Sequence, residues 1–139
     1  MSKIKKNSVK SYALLSYDPD LPRNQTWIHW IICHIPPDIN YLPPLRPIDQ
    51  KTFMLDDRHY LVQGVNSWGR FGWGGPCPGQ NLPHVPHRYH FVIYALDTII
   101  TNCDNFLQEI KDHTISQGCL TGTYLRPILV TSSRMPEKM

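Results

Sequence analysis

Four short segments set ionisable side chains beside prolines, glycines and aromatic rings: Asp18-Pro19-Asp20-Leu21-Pro22, Trp27-Ile28-His29-Trp30, Gly74-Gly75-Pro76-Cys77-Pro78 and His87-Arg88-Tyr89. A stiff backbone and apolar surroundings around a carboxylate and two imidazoles are the ingredients of a small polar pocket. His29 lies between Trp27 and Ile31 in an apolar run, so its ring is predicted to be buried and to need a hydrogen-bond partner. Asp18 closes the preceding apolar run, and antiparallel neighbours can bring the two side chains together. His87 follows a loop that supplies Gly74, Gly75 and Pro76. Glycines there let backbone N–H groups approach a ligand closely, which suits a phosphate or a carboxylate. Taken singly, each feature has a plainer meaning, a core histidine bonded to a carbonyl or an ordinary turn; together they point to a concave anion site.

Two other chemistries use the same residues. A metal site would draw on His29, His84, His87, His90 or Cys77, but His87 and His90 fall on opposite faces of a strand and no helical His-x-x-x-His occurs. A hydrolase built from Cys77, His87 and Asp18 would need the thiol within reach of the imidazole, and nothing in the sequence lowers the thiol pKa. Both weigh less than reversible anion binding.

The elements that must position these groups read as strands. Ser11–Tyr17 is a short apolar and aromatic run ending at a proline turn, with Asp18 at its mouth. In Trp27–Ile35 strict alternation puts Trp27, His29, Ile31, Cys33 and Ile35 on one face and Ile28, Trp30, Ile32 and His34 on the other. Both faces are apolar, which predicts a central strand. Leu61–Val65 is a shorter candidate, and Arg88–Leu96 is the third strong one. Pro36–Asp57, with five prolines, reads as an extended surface loop, and Asn66–Pro86 as an ordered functional loop. Asp104–Thr114 is predicted helical because Phe106, Leu107, Ile110 and His113 fall at helical spacing, with Asn102 or Asp104 as the cap and Gly118 beyond the end. Leu120–Leu125 and Ile128–Thr131 are predicted as short closing strands.

Length and composition agree with one mainly β domain. A chain of 139 residues supports one core, and thirteen prolines in an apolar sequence disfavour long helices. Lys3, Lys5, Lys6 and Lys10 account for the basic excess: without these four, ten basic residues face eleven acidic ones. A body so near neutrality argues against a nucleic-acid partner. The predicted organisation is a basic mobile tail over residues 1–10, a domain over 11–131 and a tail over 132–139. Cys33, Cys77, Cys103 and Cys119 show no Cys-x-x-Cys spacing and are predicted to be free thiols. No signal-peptide core is visible at the N-terminus, and no apolar stretch nears the ~18 residues of a membrane span, so a soluble, cytoplasmic protein is predicted.

In this order the motifs resemble the phosphatidylethanolamine-binding protein family, also called the Raf kinase inhibitor protein family, and its bacterial and archaeal branch in particular. The matching segments are Ser16–Pro22, Trp27–Trp30, Gly72–Pro78 and His87–Phe91 with Tyr94–Asp97, and Leu120–Tyr124 is similar to the family's closing strand. The resemblance runs from about Ser11 to Arg126. It implies an antiparallel β-sandwich, a large central sheet packed on a smaller one, with one or two peripheral helices. It also implies a ligand pocket formed by Asp18, His29, Gly75, Pro76 and His87, joined by Tyr89 on the face of His87. The ligands implied are phosphate, carboxylates and phospholipid headgroups, without a cofactor or catalysis. The alternative is a kinase or protease inhibitor acting through surface loops. Two departures stand out. Members of the family carry a region, strands included, ahead of the Asp-Pro-Asp strand, which here begins near Ser11; a shortened product or an internal start is expected, leaving sheet edges and apolar surface uncovered and favouring a homodimer or marginal solubility. Gly79-Gln80 replaces a further proline, which bears on loop rigidity more than on the pocket.

Overall fold

A computed structural model describes residues 9–42, 47–76 and 84–127. Strands β1 (Ser11–Leu21), β2 (Gln25–Ile35), β3 (Thr52–Met54), β4 (Tyr60–Gln63), β5 (His87–Leu96) and β6 (Thr114–Tyr124) form one antiparallel sheet in the order β3-β4-β2-β1-β5-β6. The mainly β, antiparallel prediction holds, and β2 is central as its two apolar faces required. The smaller second sheet of a sandwich is not found among the described residues, where all six strands join the one sheet. One short α-helix among the described residues, α1 (Phe106–His113), precedes β6. Among the described residues no helix is long and apolar enough to cross a membrane.

The sheet buries side chains on both faces. On one, Ala13, Leu15, Ile31, Cys33, Val62 and Leu96 meet Ile100, Phe106 and Ile110. Phe106 and Ile110 are four residues apart, one above the other on the inner side of α1, and burying each contributes about 2 kcal/mol. On the other face Leu14, Ile32, Ile35 and Leu61 pack with Trp30, Phe53, Phe91 and the Ile39 and Leu42 side chains. The buried Gln63 amide holds this side together, accepting from Trp30 Nε1 at 2.7 Å and donating to the carbonyls of Pro47 and Gln50. His59 does the same at the surface, its two ring nitrogens 2.8 and 2.9 Å from Asp56 and Asp38 carboxylate oxygens.

Several local expectations change. β1 runs on through Pro19 to Leu21; its pairing with β5 ends at Tyr17–His90 and its register with β2 is irregular after Asp18, so the missing proline N–H breaks no regular ladder. Alternation in β2 is broken by a bulge: Ser16 faces Trp30 and Tyr17 faces Ile28, leaving His29 without an opposite residue. His29 and Trp30 consequently lie on the same side, both against Trp73, and not on opposite faces as strict alternation predicted. A second irregularity between Tyr12 and Leu14 sets Ile35 on the face of Ile32, away from Cys33. The Pro36–Asp57 loop includes the short strand β3. The helix begins at Phe106 after Asn105, which makes no side-chain cap bond; Asn102 Oδ1 instead accepts from the Asp104 N–H. Gly118 lies within β6, which starts directly after the helix. Ile128–Thr131, the 132–139 tail and most of the 1–10 tail lie outside the described residues, as does Cys77.

The cysteines are the largest correction. Cys33 and Cys103 form a disulfide, their Cα atoms 5.6 Å apart across 70 residues of sequence, while Cys119 is free and exposed. Sequence spacing misleads here because packing of α1 on the sheet carries the segment before the helix over β2. The bond closes a long loop, so reduction, or Cys33→Ser, is expected to lower stability by about 3–4 kcal/mol, read as a shift of the denaturation midpoint with and without reductant.

Candidate functional site

At one end of the sheet β1 and β5 part company, and side chains replace the ladder. Asp18 Oδ2 accepts from His87 Nδ1–H at 2.6 Å, with both side chains almost fully buried. Asp18 Oδ1 accepts the Asp20 N–H at 2.8 Å, which fixes the carboxylate across Pro19. Asp20 then reaches β5 itself, taking the Arg88 N–H at 2.7 Å and the Arg88 guanidinium at 2.7 and 3.0 Å. Hydrogen bonding from Arg88, opposed by burial, pushes the Asp20 carboxyl down to about 2. This outer pair is exposed and screened, so its role is to tie the strands beside the buried inner pair.

His29 enters from the β2 bulge. Its Nδ1–H donates to the Gly74 carbonyl at 2.6 Å, and the Gly74 N–H returns a bond to the His29 carbonyl at 2.9 Å. Three aromatic rings enclose it: Trp68 edge-on at 5.0 Å, Tyr89 edge-on at 5.1 Å and Trp73 tilted at 5.7 Å. Burial pushes the His29 pKa below the usual 6.5, against smaller upward effects of the Gly74 carbonyl and the Asp18 charge. Tyr89, also buried, stacks on His87 at 6.4 Å and so spans the two histidines.

The loop that brings Gly74 to His29 is organised by the buried amide of Asn66. Its Nδ2 donates to the Gly72 carbonyl and its Oδ1 accepts the N–H groups of Trp68 and Arg70. Ser67 docks this knot on the bulge, donating its N–H to the Ile28 carbonyl and accepting the Ile28 N–H on Oγ. Gly72 has φ +115°, and a Cβ there would meet the Pro47 carbonyl oxygen at 2.6 Å, so only glycine fits. A Cβ on Gly74 would overlap the Trp68 ring.

Of the six residues predicted for the site, Asp18, His29, His87 and Tyr89 are gathered at this sheet end. The expected direct pair of Asp18 with His29 is not made; Asp18 bonds His87, and His29 bonds Gly74. Gly75 lines an adjoining cavity of about 250 Å³ with Trp68, Trp73, Asn66 and Arg70, and Pro76 follows it half-buried. Residues 77–83, Cys77 of the hydrolase alternative among them, are outside the description. Among the described residues no group of three or more His, Cys, Asp or Glu side chains is arranged to hold a metal; His90 turns to Thr121 Oγ1 and His84 is exposed. The structure adds Trp68, Trp73, Gly74 and the Asp20–Arg88 tie to the residues expected at the site. The tie has a signal in the sequence: Asp-Pro-Asp and His-Arg each carry a second ionisable residue beside Asp18 and His87.

Comparisons with known proteins identify the family and bear out the mainly β fold. The family model described as phosphatidylethanolamine-binding protein matches residues 1–125. A UPF0098 protein of Pyrococcus horikoshii is 36% identical over 125 residues, covering 86% of this chain and 60% of the relative. One from Methanothermobacter thermautotrophicus is 38% identical over 122 residues, covering 84% and 74%. The chain thus spans well under the full length of the relatives it matches. Among solved structures, a phosphatidylethanolamine-binding protein homologue from Chlamydia trachomatis superposes with TM-score 0.68 at 30% identity, covering 91% of this chain and 78% of that one. Escherichia coli YbcL, described as a member of the mammalian family, gives 0.67 at 28% identity, covering 88% and 75%.

Two outcomes follow from the geometry. Gly74→Ala is expected to displace Trp68 and cost about 1–3 kcal/mol, seen as a changed tryptophan emission and a lower denaturation midpoint. His29 and His34 are both held below the usual histidine value by burial, so their share of stability is present above pH ~6.5 and is lost as pH falls through their folded values. His59, raised by Asp56 and Asp38, acts with the opposite sign. Denaturation of wild type and His29→Gln across this range should show a shallower acid-side loss in the variant.

Proposed function

Because this chain belongs to the phosphatidylethanolamine-binding protein family, we propose that the Asp18, His29, His87 and Tyr89 site binds small anions reversibly, taking phosphate, carboxylate or phospholipid-headgroup-like ligands without transforming them. The observation that carries this reading is the commitment of both Nδ1–H groups, His29 to the Gly74 carbonyl and His87 to the Asp18 carboxylate. Each ring then keeps Nε2 for a ligand. In a neutral ring that atom is an acceptor, and protonation turns it into a charged donor suited to an anion. Anion binding should therefore take up a proton, and burial, which holds the His29 pKa below its usual value, keeps that ring neutral near neutrality until a ligand binds.

Histidine NMR shifts followed during titration with phosphate, acetate and phosphoethanolamine provide the test. Both His29 and His87 are expected to respond at millimolar ligand, with affinity rising as pH falls toward and below ~6.5. Silence of both rings, or affinity independent of pH, defeats the proposal.

The alternative of kinase or protease inhibition through surface loops draws on Trp68, which is 44% exposed although it also packs on His29. Under that reading Trp68→Ala abolishes inhibition of a susceptible enzyme and His87→Ala preserves it. As for place of action, the cytoplasmic assignment loses the support of four free thiols. Disulfides persist in oxidising compartments and in the cells of hyperthermophiles. A cytoplasmic role requires the Cys33–Cys103 bond to survive there, and the mass of protein alkylated inside intact cells should then show it unreduced.

A further inference from the structure

The two edges of the sheet are unlike. One is β3, three residues long; the other is β6, eleven residues from Thr114 to Tyr124. Natural edges are guarded by shortness, by lysine or another charge, by proline, or by cover from another element. β3 has the first protection. β6 has none among the described residues: its sequence, Thr-Ile-Ser-Gln-Gly-Cys-Leu-Thr-Gly-Thr-Tyr, contains no charged residue and no proline, and it is exposed from Ser116 to Thr123. Among the described residues its one backbone ladder is to β5. Leu120 is 72% exposed, and a Cβ added at Gly118 or Gly122 would meet nothing within 4 Å.

We infer that β6 is a self-association edge whose partner is the β6 strand of a second copy, so that two six-stranded sheets join into one across a two-fold axis. A two-fold brings the same strand to itself antiparallel, which is the pairing an open antiparallel edge accepts. Strand pleating requires directly opposed residues to be of the same bonding type, so the axis must pass between a residue and its own copy. Only one such register pairs all eleven residues, and it centres on Cys119, the midpoint of Thr114–Tyr124. In that register the two free thiols face each other, Leu120 lies over Gly118 of the second copy, and Ser116 lies opposite Gly122. Each exposed leucine then sits over a glycine, where no side chain obstructs it. No like charges meet, because β6 has none.

The test uses the full chain with Cys77→Ser, leaving Cys119 as the reactive thiol. Light scattering over a concentration series is expected to give a dimer, and a short bis-maleimide to link Cys119 to its copy. Leu120→Lys, at an exposed position, should weaken association roughly tenfold or more by placing a charge on each side of the axis. Register is read separately from stability by removing Cys119 and mixing Ser116→Cys protein with Gly122→Cys protein. The mixture should crosslink, whereas Ser116→Cys alone should not, its two thiols lying ~20 Å apart along the strands. A monomer at every concentration overturns the inference, and so does a dimer in which Cys119 fails to crosslink or Ser116→Cys links to itself. The anion titrations are read on monomer and dimer alike, so neither result decides the other.

Discussion

The site depends on an opening in the sheet. β1 and β5 are paired by backbone as far as Tyr17 and His90, and beyond that point the strands are joined by carboxylates: Asp18 to the His87 ring and Asp20 to the Arg88 backbone and guanidinium. A buried carboxylate is tolerated only with hydrogen bonds to its oxygens, and Asp18 has one from each direction. Pro19 belongs to the same device, since it cannot donate to a ladder and sits where no regular ladder is needed. The inner pair thus closes the sheet end at the candidate site.

The other residues of the site hold His29 near that pair, with Tyr89 between the two histidines. The β2 bulge turns the ring to the side of Trp73, the Asn66 knot holds the loop, and the absence of a Cβ at Gly74 lets the loop carbonyl reach the imidazole. Trp73 contacts His29, Trp30 and Phe91, so the wall of the pocket is continuous with the core of that face. On the opposite face α1 and the Cys33–Cys103 bond back the same strand. β2 is thus held from both faces at the strand that carries His29.

Much of this was legible in the residue types. Three of the four long strands, β1, β2 and β5, together with the helix and the mainly β class, follow from apolar runs between proline and glycine signals. β6, predicted only over Leu120–Leu125, begins at Thr114 because it continues directly from the helix. Asp18, His29, His87 and Tyr89 stand out because ionisable groups in apolar runs must find partners. Which partner each would find was not legible. Strict alternation put His29 and Trp30 on opposite faces, and a single extra residue in the ladder reversed that; alternation has a period of two, so one unmatched residue inverts every later assignment. The same weakness misplaced Ile35 relative to Cys33.

The sequence by itself determined the materials: one domain's worth of apolar residues, strands with two buried faces, and a carboxylate and imidazoles set where water is scarce. Only the tertiary structure decided the pairings, Asp18 with His87, His29 with Gly74, Cys33 with Cys103. Each joins residues tens of positions apart, and none has a local signature. Local propensity acts over a few residues, whereas these bonds are made by strand register, a bulge and the docking of a helix, all properties of the packed whole.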